Sequence, residues 1–256
     1  FWQEHVNANG GIKVGQENYK VELILYDDKS DAQTAAKLTE KLITEDKVDF
    51  LLSPYSSTLT FATSAIAEKY KVININPLGN AENLYTRGYK YLFGLAPPAA
   101  VNIGTLVEMP IENNYDIKNI VIVTPDDMYP LAAADAAKIK ADELGLEVLS
   151  FIKYPKDATD LSTVVSQIRA LHPDAVIATP QLESAMNLTK NMYEQQLEAK
   201  MIAIPDVVAM PLYVSNMGKA AEQIFSSTWW VKEIGYKDKL FGDTIQFAKM
   251  WEDKYG

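Results

Sequence analysis

Residues 20–52, KVELILYDDKSDAQTAAKLTEKLITEDKVDFLL, change periodicity twice. The run 20–26 is aliphatic and rich in strand formers, and it stops at the turn-forming Asp27-Asp28-Lys29-Ser30-Asp31, so it reads as a strand. Ala35, Leu38, Leu42 and Ile43 then fall on one helical stripe, with Lys37, Glu40, Lys41 and Glu45 on the other side. Strand character returns at 48–52. Strand, helix and strand make a βαβ unit, whose right-handed crossover builds a parallel sheet.

The unit repeats along the chain. A helix is expected over 57–70, with strands at 72–76 and 91–95. Pro97-Pro98 cannot continue a strand or a helix interior and marks the best boundary. Beyond it a helix over 99–113 restarts the alternation. Strands are expected at 119–124, 147–152, 175–179, 201–204 and 224–231, and helices at 131–144, 161–171, 184–197, 211–221 and 240–255. The chain therefore reads as α/β, with two doubly wound lobes: a partial lobe 1 over 1–96, lobe 2 over 97–231 and a return segment over 232–256.

Composition excludes several classes. The 256 residues are 48% hydrophobic and 23% charged with 12 Gly and 12 Pro, which fits a globular protein and not a collagen-like or low-complexity one. Lys plus Arg number 24 against 34 Asp plus Glu, a formal charge of −10, which argues against nucleic acid or an anionic lipid surface as partner. With no cysteine there is no disulfide, thiolate nucleophile, iron–sulfur ligand or Cys-based zinc site, a composition compatible with either cytoplasm or periplasm. No run approaches the roughly 18 to 20 apolar residues of a membrane span.

Motifs for dinucleotide binding, NTP hydrolysis, serine hydrolysis and zinc proteolysis are all missing. His5 and His172 read as a residue of an opening helix and a helix-end residue before Pro173. The pairs Asp27-Asp28 and Asp126-Asp127 read as turn formers and helix caps, because adjacent carboxylates on extended chain point apart. No catalytic residue, metal or cofactor is expected.

In open parallel sheets ligands bind beyond the carboxyl ends of the strands. The segments 53–58, 76–81, 125–129, 180–181 and 205–206 occupy those places. Ser56 and Ser57 open a helix and could offer hydroxyls and free N–H groups to a carboxylate, or serve as a plain N-cap. Asp206 follows the apolar run Met-Ile-Ala-Ile-Pro, where it could pair with a ligand ammonium group or merely form a turn. Tyr55 and Tyr129 could flank a ligand or pack.

Taken in order, Asn7-Ala8-Asn9-Gly10-Gly11-Ile12, Tyr26-Asp27-Asp28-Lys29-Ser30-Asp31, Leu42-Ile43 with Asp46-Lys47-Val48-Asp49, Pro54-Tyr55-Ser56-Ser57 and Tyr85-Thr86-Arg87-Gly88 form a combination more specific than its parts. The chain closely resembles the leucine/isoleucine/valine-binding type of periplasmic solute-binding protein from end to end. That resemblance implies the type I binding-protein fold, in which two Rossmann-like lobes close on a ligand cleft. It implies that Ser56 holds a ligand carboxylate with Ser57 beside it. Gly79 resembles the small residue whose carbonyl accepts from an ammonium group, with Asn80 its neighbour in place of the usual hydroxyl residue. Asp206 resembles the acidic partner of that ammonium group, and Tyr129 an aromatic of the second lobe facing the ligand. Gln181, after Pro180, stands where an aromatic is common, which is a departure.

The resemblance implies a non-catalytic carrier of an amino acid or related small molecule, periplasmic or lipid-anchored, monomeric, and delivering to an ABC importer permease. It also implies that a first strand precedes Phe1 and a C-terminal part follows Gly256, in keeping with an opening that lacks Met and looks like the inside of a helix. The alternative is a ligand-sensing receptor or regulator effector domain of the same fold, binding an amide, urea or an aromatic or other organic acid.

Overall fold

A computed structural model describes residues 1–256. In chain order the elements are α1 (Trp2–Ala8), β1 (Ile12–Val14), β2 (Glu17–Tyr19), α2 (Ala32–Thr44), β3 (Phe50–Leu52), α3 (Ser57–Tyr70), β4 (Ile73–Asn76), β5 (Leu92–Gly94), α4 (Ala99–Glu112), β6 (Asn119–Pro125), α5 (Met128–Glu143) and β7 (Glu147–Tyr154). They continue as α6 (Ser162–Leu171), β8 (Ala175–Ala178), α7 (Leu182–Glu194), β9 (Met201–Ala203), α8 (Pro211–Met217), β10 (Ile224–Phe225), a short hairpin of Lys237–Asp238 with Gly242–Asp243, and α9 (Thr244–Tyr255). Two compact units result, one formed by Phe1–Asp27 with Trp229–Gly256 and one by Asp28–Thr228.

The larger unit holds two parallel sheets, a three-stranded one in the order β3-β4-β5 and a five-stranded one in the order β10-β9-β8-β6-β7. Between β8 and β7 of the second, Ile120-Val121-Ile122-Val123 of β6 sends alternate side chains to opposite faces. Val121 and Val123 pack with Tyr154, Val165, Leu188 and Tyr213 under α6, α7 and α8. Ile120 and Ile122 pack with Ile103, Val107, Ala134 and Ala137 under α4 and α5. Burial on both faces explains why this strand reads as a continuous apolar run.

In the smaller unit Phe1 stacks on Phe241 at 5.5 Å between ring centroids, and Phe241 meets Phe247 edge-on at 5.3 Å. His5 joins this cluster, its Nε2 2.9 Å from the Leu240 carbonyl. Asp243 caps α9 by accepting from Gln246 N while the Gln246 side chain accepts from Asp243 N.

Two expected strands are corrected. Residues 20–28 form no strand. The Val21 N–H donates to Asn7 Oδ1 at 2.7 Å, and its carbonyl accepts from Asn7 Nδ2 at 2.8 Å and Gln3 Nε2 at 3.0 Å, so side-chain amides stand where a ladder would be. A period of two makes a segment able to pair but does not supply a neighbour. The strand expected over 224–231 shortens to Ile224–Phe225. Its bonds to the chain that continues β9 run from Ile204 N to Phe225 O and from Asp206 N to Ser227 O, both 2.9 Å, and stop where that neighbouring chain turns at Asp206, with Val207 N bonded to Pro205 O.

Helix ends also shift. α5 starts at Met128, before the expected 131, because Asp127 caps it by accepting from Met128 N at 2.8 Å. α8 stops at Met217, where Gly218 takes φ 51° and a short 3₁₀ turn follows.

Candidate functional site

Three of the sequence-selected residues meet within the larger unit. Tyr55 lies in the turn after β3, Tyr129 in the first turn of α5 after β6, and Asp206 just after β9. The Tyr129 hydroxyl donates to Asp206 Oδ2 at 2.9 Å. Burial, then the Asp206 charge, pushes the Tyr129 phenol far above its ordinary value, so it stays a donor. Tyr55 is 56% exposed, yet its ring is crowded enough that burial leads the upward shift of its phenol, followed by the charges of Asp206 and Asp127. Tyr55, from the three-stranded half of the unit, therefore lies near enough to feel both carboxylates, which follow strands of the five-stranded half.

Asp206 sits on unusual backbone. It takes φ 59°, ψ −65°, and Val207 N donates to Pro205 O at 2.7 Å, which closes a γ-turn of the rare positive-φ kind. Such strain persists where surrounding structure holds it, and it concentrates at functional sites. Sequence reasoning missed another residue here. Asn102, on α4, donates from Nδ2 to Asp206 Oδ1 at 2.7 Å and is itself only 6% exposed. A polar side chain within the apolar run of residues 99–107 was the available signal.

A second group gathers at the start of α3. Ser56 is the N-cap at φ 92°, its Oγ accepting from Leu59 N at 3.2 Å. The buried Ser57 Oγ accepts from Ala81 N at 3.2 Å, which ties the turns after β3 and β4 together. Asn80 is buried beside Ala81, its carbonyl accepting from Ala99 N at 3.0 Å. Gly79 is required by space: a Cβ there would come within 2.8 Å of Thr60 Oγ1 and 2.9 Å of Asn76 Nδ2. Its carbonyl accepts from the Asn76 amide and, at 2.9 Å, from the Tyr85 hydroxyl. A ligand ammonium group at that carbonyl would compete with both donors.

Thr58, the last residue of the strand-end segment 53–58, links α3 to α5: its Oγ1 donates to Asp127 Oδ1 at 2.6 Å. Asp127 thus caps α5 and bridges to α3 at once. Gln181 takes the N-cap position of α7, its carbonyl accepting from Ala185 N at 2.8 Å, and joins neither group through a hydrogen bond. An open groove of about 950 Å³ runs past Thr58 and Asp127 along Val101, Leu131 and Ile139, but Tyr55, Tyr129 and Asp206 do not line it. The Asp206 cluster is the stronger candidate, because its polar groups converge from the carboxyl ends of separate strands, where open parallel sheets bind their ligands.

No group of three His, Cys, Asp or Glu is placed to hold a metal ion. His172 takes the left-handed conformation that ends α6, as its position before Pro173 suggests. No helix is long and apolar enough to cross a membrane.

A family model described as periplasmic binding protein matches residues 1–256. An amino acid binding protein of Pseudomonas aeruginosa is 24% identical over 215 residues, covering 84% of this chain and 56% of that protein, so the chain spans about half the length of that relative. Among solved structures, a leucine binding protein from Thermotoga maritima superposes with a TM-score of 0.86 at 20% identity, covering 99% of this chain and 69% of that one. A solute binding protein from R. palustris in complex with 4-hydroxybenzoate reaches 0.85 at 17% identity, covering 99% and 67%.

Proposed function

The chain belongs to the periplasmic binding protein family and has its type I fold, and from that premise we propose that it captures an amino acid or related small molecule and hands it to a membrane permease. The observation that carries this reading is the Asp206 carboxylate, held on strained backbone by Tyr129 and lying with Tyr55 at the ends of strands from two sheets. An acidic side chain held in that way suits a ligand ammonium group. The N-terminus of α3, with Ser56 and Ser57, is the positive helix end that suits the ligand carboxylate. Asn80, Gly79 and Gln181 complete the surroundings in this reading. Closure would draw the part carrying β3–β5 and the part carrying β6–β10 together across Pro97–Pro98, with contacts available only in the closed state. An ABC importer as recipient, an extracytoplasmic location and the absence of catalysis belong to the same reading.

A second reading, capture of an aromatic acid, is favoured by the two tyrosines, Tyr55 and Tyr129, near Asp206 and by the R. palustris protein's bound 4-hydroxybenzoate. The same cleft could equally serve a sensor or regulator.

Thermal unfolding against a panel of amino acids, small amides, urea and aromatic carboxylates separates these readings, because whatever binds the native state alone raises the melting temperature. A shift with one amino acid, lost in Asp206→Ala at a cost of about 2–5 kcal/mol of binding, is the expected result. Shifts confined to compounds without an ammonium group overturn the role given to Asp206 and favour the aromatic-acid reading.

A further inference from the structure

Asn102 lies early in α4, whose other buried residues include Ala99, Ile103, Leu106 and Val107. Burying a side-chain amide among aliphatic neighbours is unfavourable unless it is hydrogen-bonded. Its partner stands 104 positions along the chain: Nδ2 donates to Asp206 Oδ1 at 2.7 Å. Tyr129 donates to the other oxygen at 2.9 Å, so each carboxylate oxygen receives a donor from a different helix. With one donor on each side, rotation of the carboxylate about its bond to Cβ is fixed.

Neither donor can exchange roles. An amide does not ionise, and the Tyr129 phenol is pushed further from ionisation by burial. A carboxylate has about four lone-pair positions, and these two donors, one on each oxygen, fix the direction in which it faces. The γ-turn at φ 59° leaves the backbone poorly determined by its own preferences, and the grip on the side chain compensates.

We infer that Asn102 is a positioning residue for recognition: it holds Asp206 in the orientation in which that carboxylate meets a cationic group of the ligand. This rests on the ammonium-pairing role proposed above for Asp206. Asn102 does not touch the ligand in this account and acts only through Asp206.

The test uses the full chain. First, the stability of Asn102→Ala, Asp206→Ala and the double variant is measured by urea unfolding without ligand. Asn102→Ala should lower the folding equilibrium constant by about tenfold, and by much less when Asp206 is already Ala. Additive effects overturn the inference. Second, L-leucine, or whichever amino acid of the panel gives the largest thermal shift, is titrated calorimetrically into wild type and Asn102→Ala. A loss of about tenfold to hundredfold in affinity is expected, and an unchanged affinity overturns the positioning role even if the stabilities couple.

Should Asn102→Ala fail to fold, Asn102→Asp sets two carboxyl groups side by side, with Tyr129 and Tyr55 facing Asp206 and Asp127 beyond Tyr55. One of the pair must then keep a proton, which raises its folded value above the unfolded one. Stability of that variant should be whole below the unfolded carboxyl value of about 4 and fall as pH rises above it, unlike wild type. A profile parallel to wild type overturns the inference. If wild type binds no amino acid but the stabilities couple, the ammonium reading fails while Asn102 still stands as the residue that fixes Asp206.

Discussion

The two parallel sheets of the larger unit are built from the same alternation of strand and helix and end up in opposite conditions. In the five-stranded sheet Val121, Ile122, Val123 and Val176 are 0% exposed. In the three-stranded sheet Phe50 is 61%, Leu52 60% and Phe93 51% exposed, although these residues are at least as apolar. The first sheet has helices over both faces and a strand on either side of its centre. The second has β3 and β5 as edges and only β4 between neighbours. A parallel strand gains most of its stabilisation from what covers it, and strand character alone does not provide a cover.

The largest effect that would test this contrast comes from truncating equivalent apolar side chains. Ile122→Ala should cost about 2–5 kcal/mol, because it opens a cavity in a closed layer. Phe50→Ala should cost less than about 1 kcal/mol. Urea unfolding of both variants decides the matter, and equal losses would break the comparison.

A smaller effect sharpens the picture of the closed side. The Tyr154 hydroxyl meets Ser184 Oγ at 2.8 Å in the buried layer beneath α7. Tyr154→Phe leaves Ser184 without that partner and should cost about 1–2 kcal/mol. Burial pushes the Tyr154 phenol up to about 12, against a smaller downward pull from Ser184. The folded value lies above the unfolded value of 10.0, so this contribution is whole below that pH and is lost as pH rises through about 12. Alkaline unfolding followed by tyrosinate absorbance should show the loss in wild type and a weaker one in Tyr154→Phe.

A further modest effect falls on the junction between the two sheets. Thr58→Val removes the 2.6 Å bond to Asp127 and should cost about 1 kcal/mol, since the contact is only partly buried. Because the bond joins α3 to α5, the same variant should give a larger radius of gyration by small-angle scattering without ligand. An unchanged radius would mean that Thr58 does not help hold the two parts together.

Much of the fold was legible in periodicity. The helix expected over 57–70 matches α3 residue for residue, and the strand expected over 119–124 lies within β6. Failures fell where a partner was needed. Residues 20–26 have the pattern of a strand and no ladder, and 224–231 lost its length where the neighbouring chain turns at Asp206. The candidate site divides in the same way. Searching strand ends selected Tyr55, Tyr129 and Asp206, which the fold brings together, while Asn102 escaped because it stands on a helix and matters only through α4's packing.

The sequence by itself determined most of the helices and strands, that the two larger sheets are parallel, and which family the chain resembles. These rest on local spacing, the sign of charge and the order of short motifs, all properties of neighbours along the chain. Only the tertiary structure decided which apolar strands are covered, that the Gly79 carbonyl is already engaged, and that a helix amide and a phenol grip Asp206 from both sides. Hydrogen bonds and burial depend on distances of a few ångströms between residues up to 104 positions apart, and no local pattern encodes them.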